Sequence, residues 1–360
     1  MTNQKNVKNK YYFNVFKIIR YRIGGYLRKN YPGMYAQYLK IISPSPSFYV
    51  LDYLGGSFKD YFKIENSCER ITALKQNLDE YSIHTVDTLI SRILSYPDYR
   101  FNVRMKVKEK DVIGGLLEEE KPENQKRVSK SLAEIHINYI IPKSLMEPSV
   151  FYYHHGLTFV PEKIKDYIKG NDFIDLGAYI GDSALALYQY GYRKIYSVEM
   201  SRRSMERYIK LMNCNNIEAS KYELINVAIS EKDNMPPVYL SDSGGSNMFV
   251  VESTKGELVV ERKSLDTLAK EYDIVPKFIK ADIEGFSLEL VKGAINTLKQ
   301  YRPVLCIAIY HNPYEFFEVK PFLESILENY TYLIRKLTIS PFTGGCHGET
   351  TLIAYPNEIV

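Results

Sequence analysis

The residues best suited to chemistry are acids and a histidine that each follow a short apolar run: Asp175, Glu199, Asp282 with Glu284, and His311. Asp175 begins the stretch Asp175-Leu176-Gly177-Ala178-Tyr179-Ile180-Gly181-Asp182. An apolar strand entering an acid, then glycines and a small-residue helix start, predicts a tight strand–turn–helix that lets a ligand approach the backbone. A helix beginning near Gly181 would aim unpaired N–H groups at that ligand. A dinucleotide site would read G-x-G-x-x-G. Here the acid precedes the first glycine, as Asp-x-Gly-x-x-x-Gly, which is the pattern of S-adenosylmethionine sites. Asp175 can pair with the ammonium of the methionine part, a partner that a dinucleotide lacks. Glu199, ending the next apolar run, can accept both ribose hydroxyls, as an acid does in dinucleotide folds. Asn226 is read either as a contact to the adenine region or as a buried structural amide.

A sulfonium methyl passes in line to an acceptor oxygen, so the protein must align acceptor, methyl and sulfur. A hydroxyl is a poor nucleophile, and a base that takes its proton is typically worth about 10² to 10⁴ in rate. His311, with an ordinary pKa of about 6.5, is the first choice for that base. Its alternative role is to cap the helix that starts near Pro313. Asp282 is read as orienting His311, binding the acceptor hydroxyl or acting as the base itself, and Glu284 could join it. A divalent ion held by Asp282, Glu284 and His311 would lower the acceptor's pKa; this variant stays open and is not favoured. His154 and His155 suggest a metal at first glance. If the segment is a strand, neighbours face opposite sides, so one ion would not take both, and a substrate contact by His155 is the functional alternative.

These residues need elements to place them. Strands are expected at 173–176, 195–199, 222–229, 258–261, 278–282, 304–310, 330–336 and 350–355, with helices at 201–212, 264–272, 287–300 and 313–328. That alternation predicts an α/β, doubly wound, mostly parallel sheet covered on both faces. Ligands then bind at the carboxyl ends of the strands, where Asp175, Glu199, Asp282 and His311 all fall.

Residues 1–145 form an accessory region, mixed and mainly helical, and 146–360 the cofactor-binding domain. Apolar spacing at Ile71, Leu74 and Leu78, then at Val86, Leu89, Ile90 and Ile93, predicts two helices ending before Pro97. The charge-dense stretch 98–130, with Glu118-Glu119-Glu120, reads as a solvated face or mobile connection. Ile135, Ile137 and Tyr139 alternate as in a strand. A strand is also expected at 48–53. Ser241-Asp242-Ser243-Gly244-Gly245-Ser246-Asn247 reads as a plain turn, or as a flexible rim over the ligands. In residues 11–29, aromatic and apolar residues mix with Lys17, Arg20, Arg22 and Arg28. An ordinary packed helix, broken at Gly24-Gly25, is preferred there over a peripheral membrane contact.

With 360 residues the chain can bury a large core. A net charge of +4 does not demand nucleic acid, and no basic stripe or Asn-Pro-Pro-Tyr-like base-reading loop lies near the site. There are 32 tyrosines and no tryptophan. Cys68, Cys214, Cys306 and Cys346 lack C-x-x-C spacing and fit reduced thiols in a cytoplasmic protein. No apolar stretch approaches membrane-spanning length.

Residues 175–182, Glu199, Asn226-Val227-Ala228, Lys280-Ala281-Asp282-Ile283-Glu284-Gly285, Tyr310-His311-Asn312-Pro313 and Glu349-Thr350-Thr351-Leu352 together resemble the FkbM family of S-adenosylmethionine-dependent methyltransferases. The resemblance covers roughly the last half of the chain. It implies a class I, Rossmann-like methyltransferase fold. It also implies O-methylation, often of a sugar hydroxyl in a natural product, glycolipid or surface polysaccharide. Residues 1–145 match nothing in that family. The alternative from another class is an inactive methyltransferase-like module that holds a glycan on its tyrosine-rich surface.

Overall fold

Short runs of Val, Ile, Leu and Phe become the strands of a seven-stranded sheet in the computed structural model, which describes residues 26, 47–50, 55–63, 67–97, 105–240 and 258–360. The expectations for residues 11–29 and 241–247 lie outside the described residues. The chain divides into two compact units, residues 1–48 with 106–112, and residues 49–105 with 113–360. In the first, Lys106–Val112 carries the end of a strand and a single 3-10 turn at Glu109–Asp111.

The second unit holds the sheet. Its strands are β1 (Asp172–Leu176), β2 (Ile195–Val198), β3 (Tyr222–Ile225), β4 (Pro276–Ala281), β5 (Val304–Ala308), β6 (Tyr330–Lys336) and β7 (Thr350–Pro356). Their spatial order is β6-β7-β5-β4-β1-β2-β3. Strands β5, β4, β1, β2 and β3 run parallel, and β7 is antiparallel to both β5 and β6. Strands β1, β5 and β7 are buried along their whole length, which is why they read as continuous apolar runs without alternation. The chain winds outward from β1 through β2 to β3, then returns to β4 on the other side of β1. The crevice at the carboxyl ends of β1 and β4 is therefore a topological switch point, the place where such sheets bind ligands.

Helices cover both faces: α1 (Glu80–Ser95), α2 (Pro122–His136), α3 (Asp182–Leu187), α4 (Arg202–Cys214), α5 (Ser287–Lys292) and α6 (Pro313–Ile326) are the longer or site-forming ones. Helix α1 starts at Asp79, whose carboxylate accepts from Ser82 N at 2.9 Å. Its apolar stripe of Val86, Leu89 and Ile93 is fully buried. It docks on the edge strand β6, where Ile334 N donates to Ser82 Oγ at 2.8 Å and Arg335 pairs with Asp79 at 2.6 Å. An exposed sheet edge is thereby covered.

Several expectations are corrected. Residues 135–139 are not a strand: helix α2 runs to His136, and Ile137 beyond it is 83% exposed. The apparent alternation arose because a helix end and the turn after it also place apolar residues two apart. The segment 222–229 breaks into β3 and a separate short strand at Ala228–Ile229. Helix 287–300 breaks into α5 and Ile295–Tyr301. His154–Phe159 is a kinked 3-10 segment, not a strand. The charged stretch is a solvated face only in part: Glu118, Lys126, Arg127 and Lys130 are exposed, but Glu119 and Glu120 are buried. Glu120 takes both guanidinium nitrogens of fully buried Arg92 at 2.8 and 2.7 Å.

Candidate active site

The turn after β1 is shaped by two close approaches. Gly177 has φ +76, and a Cβ on it would lie 1.8 Å from the carbonyl oxygen of Asp282. Only glycine lets the β1 turn close against the end of β4. Gly181, at φ +88, sits against the ring of Tyr208 on α4, where a Cβ would come within 2.7 Å. Ala178 N and Gly177 N both donate to Val198 O, at 3.1 and 3.0 Å, which ties the turn to β2. Asp182 begins helix α3 and is buried; burial, then the neighbouring Asp175 carboxylate, pushes its carboxyl up to about 6, against the pull of Lys280.

Asp175 is completely buried and lies beside Lys280 of β4, in register across the parallel pair. Lys280 Nζ is 2.9 Å from Asp175 Oδ1, an ion pair without hydrogen-bond alignment, and Asp175 Oδ2 has no hydrogen-bond partner at all. Lys280 also donates to Gly177 O at 2.9 Å and to Leu176 O at 3.3 Å. Burial opposes its charge, but Asp175 and Asp282 more than offset this and hold the ammonium charged.

Glu199 follows β2 and is buried. Its Oε2 accepts from Tyr179 N at 2.8 Å and its Oε1 from Ser201 N at 2.7 Å. Burial raises its carboxyl, and those N–H groups hold the rise back. Asn226 donates to Glu199 O and Met200 O at 2.9 and 2.8 Å, and its Oδ1 accepts from Arg202. Its amide therefore braces the loop that presents Glu199.

Beyond β4 and β5 the remaining residues converge. Asp282 N donates to Leu176 O at 3.0 Å, so the acid stands directly over the β1 turn. His311 Nε2 lies 3.1 Å from Asp282 Oδ1 and 3.8 Å from Glu284 Oε2, and its Nδ1 is 3.1 Å from Glu315 Oε2. Glu315, fully buried on α6, also accepts from His311 N and Ser287 N. Burial disfavours a charged imidazole, yet Asp282 and Glu315 together overcome it and hold His311 well above the ordinary histidine range. The two carboxylates thus favour the protonated form of His311, in contrast to the ordinary histidine expected from its type. Asp282 is driven the other way: burial opposes its charge, and His311 and Lys280 hold it well below the usual carboxylate range. Glu284 has φ +52 and precedes Gly285 at φ +107, a turn that leaves 43% of its side chain exposed. Burial and Asp282 raise it to about 7.

Sequence reasoning missed several members of this group. The Tyr310 hydroxyl donates to Glu349 Oε1 at 3.5 Å, and Glu349 is lifted to about 7 by burial and then by Asp282 and Glu147. Lys280 was marked by its place between Ile279 and Ala281 at the carboxyl end of a mostly apolar strand. Glu315 was marked by its four-residue spacing from His311 across a helix start. Glu147 carries no such signal, and Glu349 was marked only by its place in the Glu349-Thr350-Thr351-Leu352 stretch of the family resemblance. Among the described residues no group of three or more His, Cys, Asp or Glu side chains is arranged to hold a metal ion.

Residues 175–334 match the methyltransferase FkbM domain family. No curated protein matches the chain in sequence. Among solved structures, the methyltransferase FkbM from Methylobacillus flagellatus KT is 18% identical with a TM-score of 0.51, covering 82% of this chain and 60% of that one. The chain thus spans about three fifths of that protein's length. An O-methyltransferase from Bacillus cereus in complex with SAH is 11% identical with a TM-score of 0.36, covering 66% of this chain and 91% of its own. Residues 175–334 thus match a methyltransferase FkbM domain, and the sheet described above, which extends past that match to β7, shares the Rossmann-like fold of the solved methyltransferase.

Proposed function

We propose that the chain is an S-adenosylmethionine-dependent O-methyltransferase whose acceptor is a hydroxyl, in the first instance a sugar hydroxyl of a glycan, glycolipid or natural product. The buried, unpartnered Oδ2 of Asp175 supports the cofactor reading, since an orphan carboxylate oxygen calls for a donor. The cofactor's ammonium is such a donor. Gly177, Ala178, Gly181 and Asp182 form the turn beside it, and Glu199, fixed by two backbone N–H groups, would take the ribose while Asn226 braces its loop. When bound, the cofactor supplies an electrophilic methyl group.

One observation carries the acceptor chemistry: Glu284, solvent-accessible with a carboxyl near 7, stands beside the His311–Asp282 pair at the mouth of the switch point. A base works best when its pKa lies near the working pH. Glu284 meets that condition and reaches solvent. Asp282 and Glu315 favour the protonated form of His311, so in this reading its role is to fix Asp282, and Asp282 then receives and orients the acceptor hydroxyl. The sugar assignment rests on the family likeness; the proton chemistry rests on these side chains. The reading is tested by incubating the protein with radiolabelled S-adenosylmethionine and a panel of glycosides and polysaccharide fragments. Label retained on hydroxyl oxygen supports it. Transfer only to nitrogen or carbon acceptors would overturn it.

A further inference from the structure

The kinked segment His154–Phe159 places two histidines in succession in the left-handed region, at φ +46 and +55. Their surroundings differ. His154 is satisfied: its Nδ1 lies 2.8 Å from the Tyr190 hydroxyl and its Nε2 3.0 Å from Gln189 Nε2. His155 is only 9% exposed, yet its Nε2 has no hydrogen-bond partner. Gly156 presses the turn against Ile353 and Cys306, with a Cβ position 2.7 Å from Ile353, so the residue after His155 packs on β5 and β7 beside Cys306, the register partner of Lys280. The charges that act on it are Lys280 and Asp282, the groups beside Asp175. Burial and the Lys280 ammonium keep it neutral across the physiological range.

A buried polar nitrogen with no partner is rare in a native structure and calls for an explanation. The ligand proposed for this crevice ends in an amino acid, with an ammonium and a carboxylate. Acceptors for the ammonium abound in Asp175, Asp182 and Asp282. Donors for the carboxylate do not, because Lys280 already serves Asp175 and two backbone carbonyls. We propose that His155, in its Nε2-protonated tautomer, donates to the α-carboxylate of S-adenosylmethionine. This rests on the cofactor reading above and adds a residue to it. A neutral donor suits the place, since a second cation beside Lys280 would be repelled.

The test is calorimetric titration of wild-type protein, His155→Asn and His155→Gln with S-adenosylhomocysteine and with 5′-methylthioadenosine, which lacks the amino-acid end. Asparagine tolerates the left-handed backbone but falls short of Nε2, whereas the glutamine amide reaches that position. His155→Asn should weaken S-adenosylhomocysteine about tenfold to a hundredfold, the worth of a hydrogen bond to a charged group, and leave methylthioadenosine unchanged. His155→Gln should recover part of the loss. Equal weakening of both ligands, or of neither, overturns the inference while the cofactor reading stands. Failure of wild-type protein to bind S-adenosylhomocysteine overturns the cofactor reading and this inference with it.

Discussion

Two buried charge networks lie within the same unit of this molecule, and they are built on opposite plans. Beneath α1, Arg92 is fully buried with Glu120, donating to both of its carboxylate oxygens and to the carbonyls of Ile113 and Gly115. Lys336 lies 3.7 Å from the same carboxylate and donates to Ser340 O at 3.0 Å. Burial drives Lys336 down to about 8, while Arg92 and Lys336 outweigh burial to keep Glu120 low. Opposite charges meet and the polar atoms are satisfied. Around the carboxyl ends of β1, β4 and β5 the polar groups are left incomplete: Asp175 Oδ2 and His155 Nε2 have no hydrogen-bond partner, and Glu284 and Glu349 are raised by burial and then by neighbouring acids. The closed network holds α1 and the chain near residue 120 onto the edge of the sheet. In the proposed function the open one is completed by the cofactor. Burial and charge are common to both, so what separates structure from function here is whether the hydrogen bonding closes within the protein.

That contrast can be broken by substitution. The largest expected effect is on rate: Glu284→Gln should lower turnover by about 10² to 10⁴ while leaving S-adenosylhomocysteine affinity intact, measured by product release and calorimetry. For the same reason wild-type turnover should rise as pH passes through about 7 and Glu284 loses its proton. Glu120→Ala should act in reverse. Stranding Arg92 in the interior should cost about 3–5 kcal/mol of stability, read by chemical denaturation, with cofactor affinity unchanged in the protein that remains folded. A smaller effect is expected at Glu199→Ala, which removes the carboxylate that would meet the ribose. It should weaken S-adenosylhomocysteine by about tenfold to a hundredfold, and unchanged affinity would sink that assignment.

The smallest effect sharpens the comparison through pH. The Glu349 carboxyl near 7 in the folded state lies above its unfolded value of about 4.3. The native protein therefore holds a proton that the unfolded chain has lost, and this group's contribution to stability falls as pH rises between those values. Glu349→Gln should match wild type in melting temperature near pH 4 and exceed it at pH 8. A variant less stable than wild type at pH 8 would show that Glu349 belongs to a closed network after all.

Much of the fold could be read in advance because it rests on local pattern. The alternation of apolar runs with amphipathic segments placed the sheet, and the carboxyl-end rule placed Asp175, Glu199, Asp282 and His311 together. What was hidden depends on distant partners. Glu119 and Glu120 read as solvated because nothing nearby announces Arg92, twenty-eight residues back. His311 read as an ordinary base because the four-residue spacing of Glu315 does not by itself show that this carboxylate is buried against the imidazole. The two histidines before β1 look alike in sequence, and only packing shows that His154 is satisfied and His155 is not.

The central claim is that the open network is a cofactor site. It is tested most directly by calorimetric titration of S-adenosylhomocysteine into wild-type protein and into Asp175→Asn, with circular dichroism confirming the fold of each. One-site saturable binding by wild type, lost in the folded variant, is the predicted result. No binding by wild type, or equal affinity in both proteins, would contradict it.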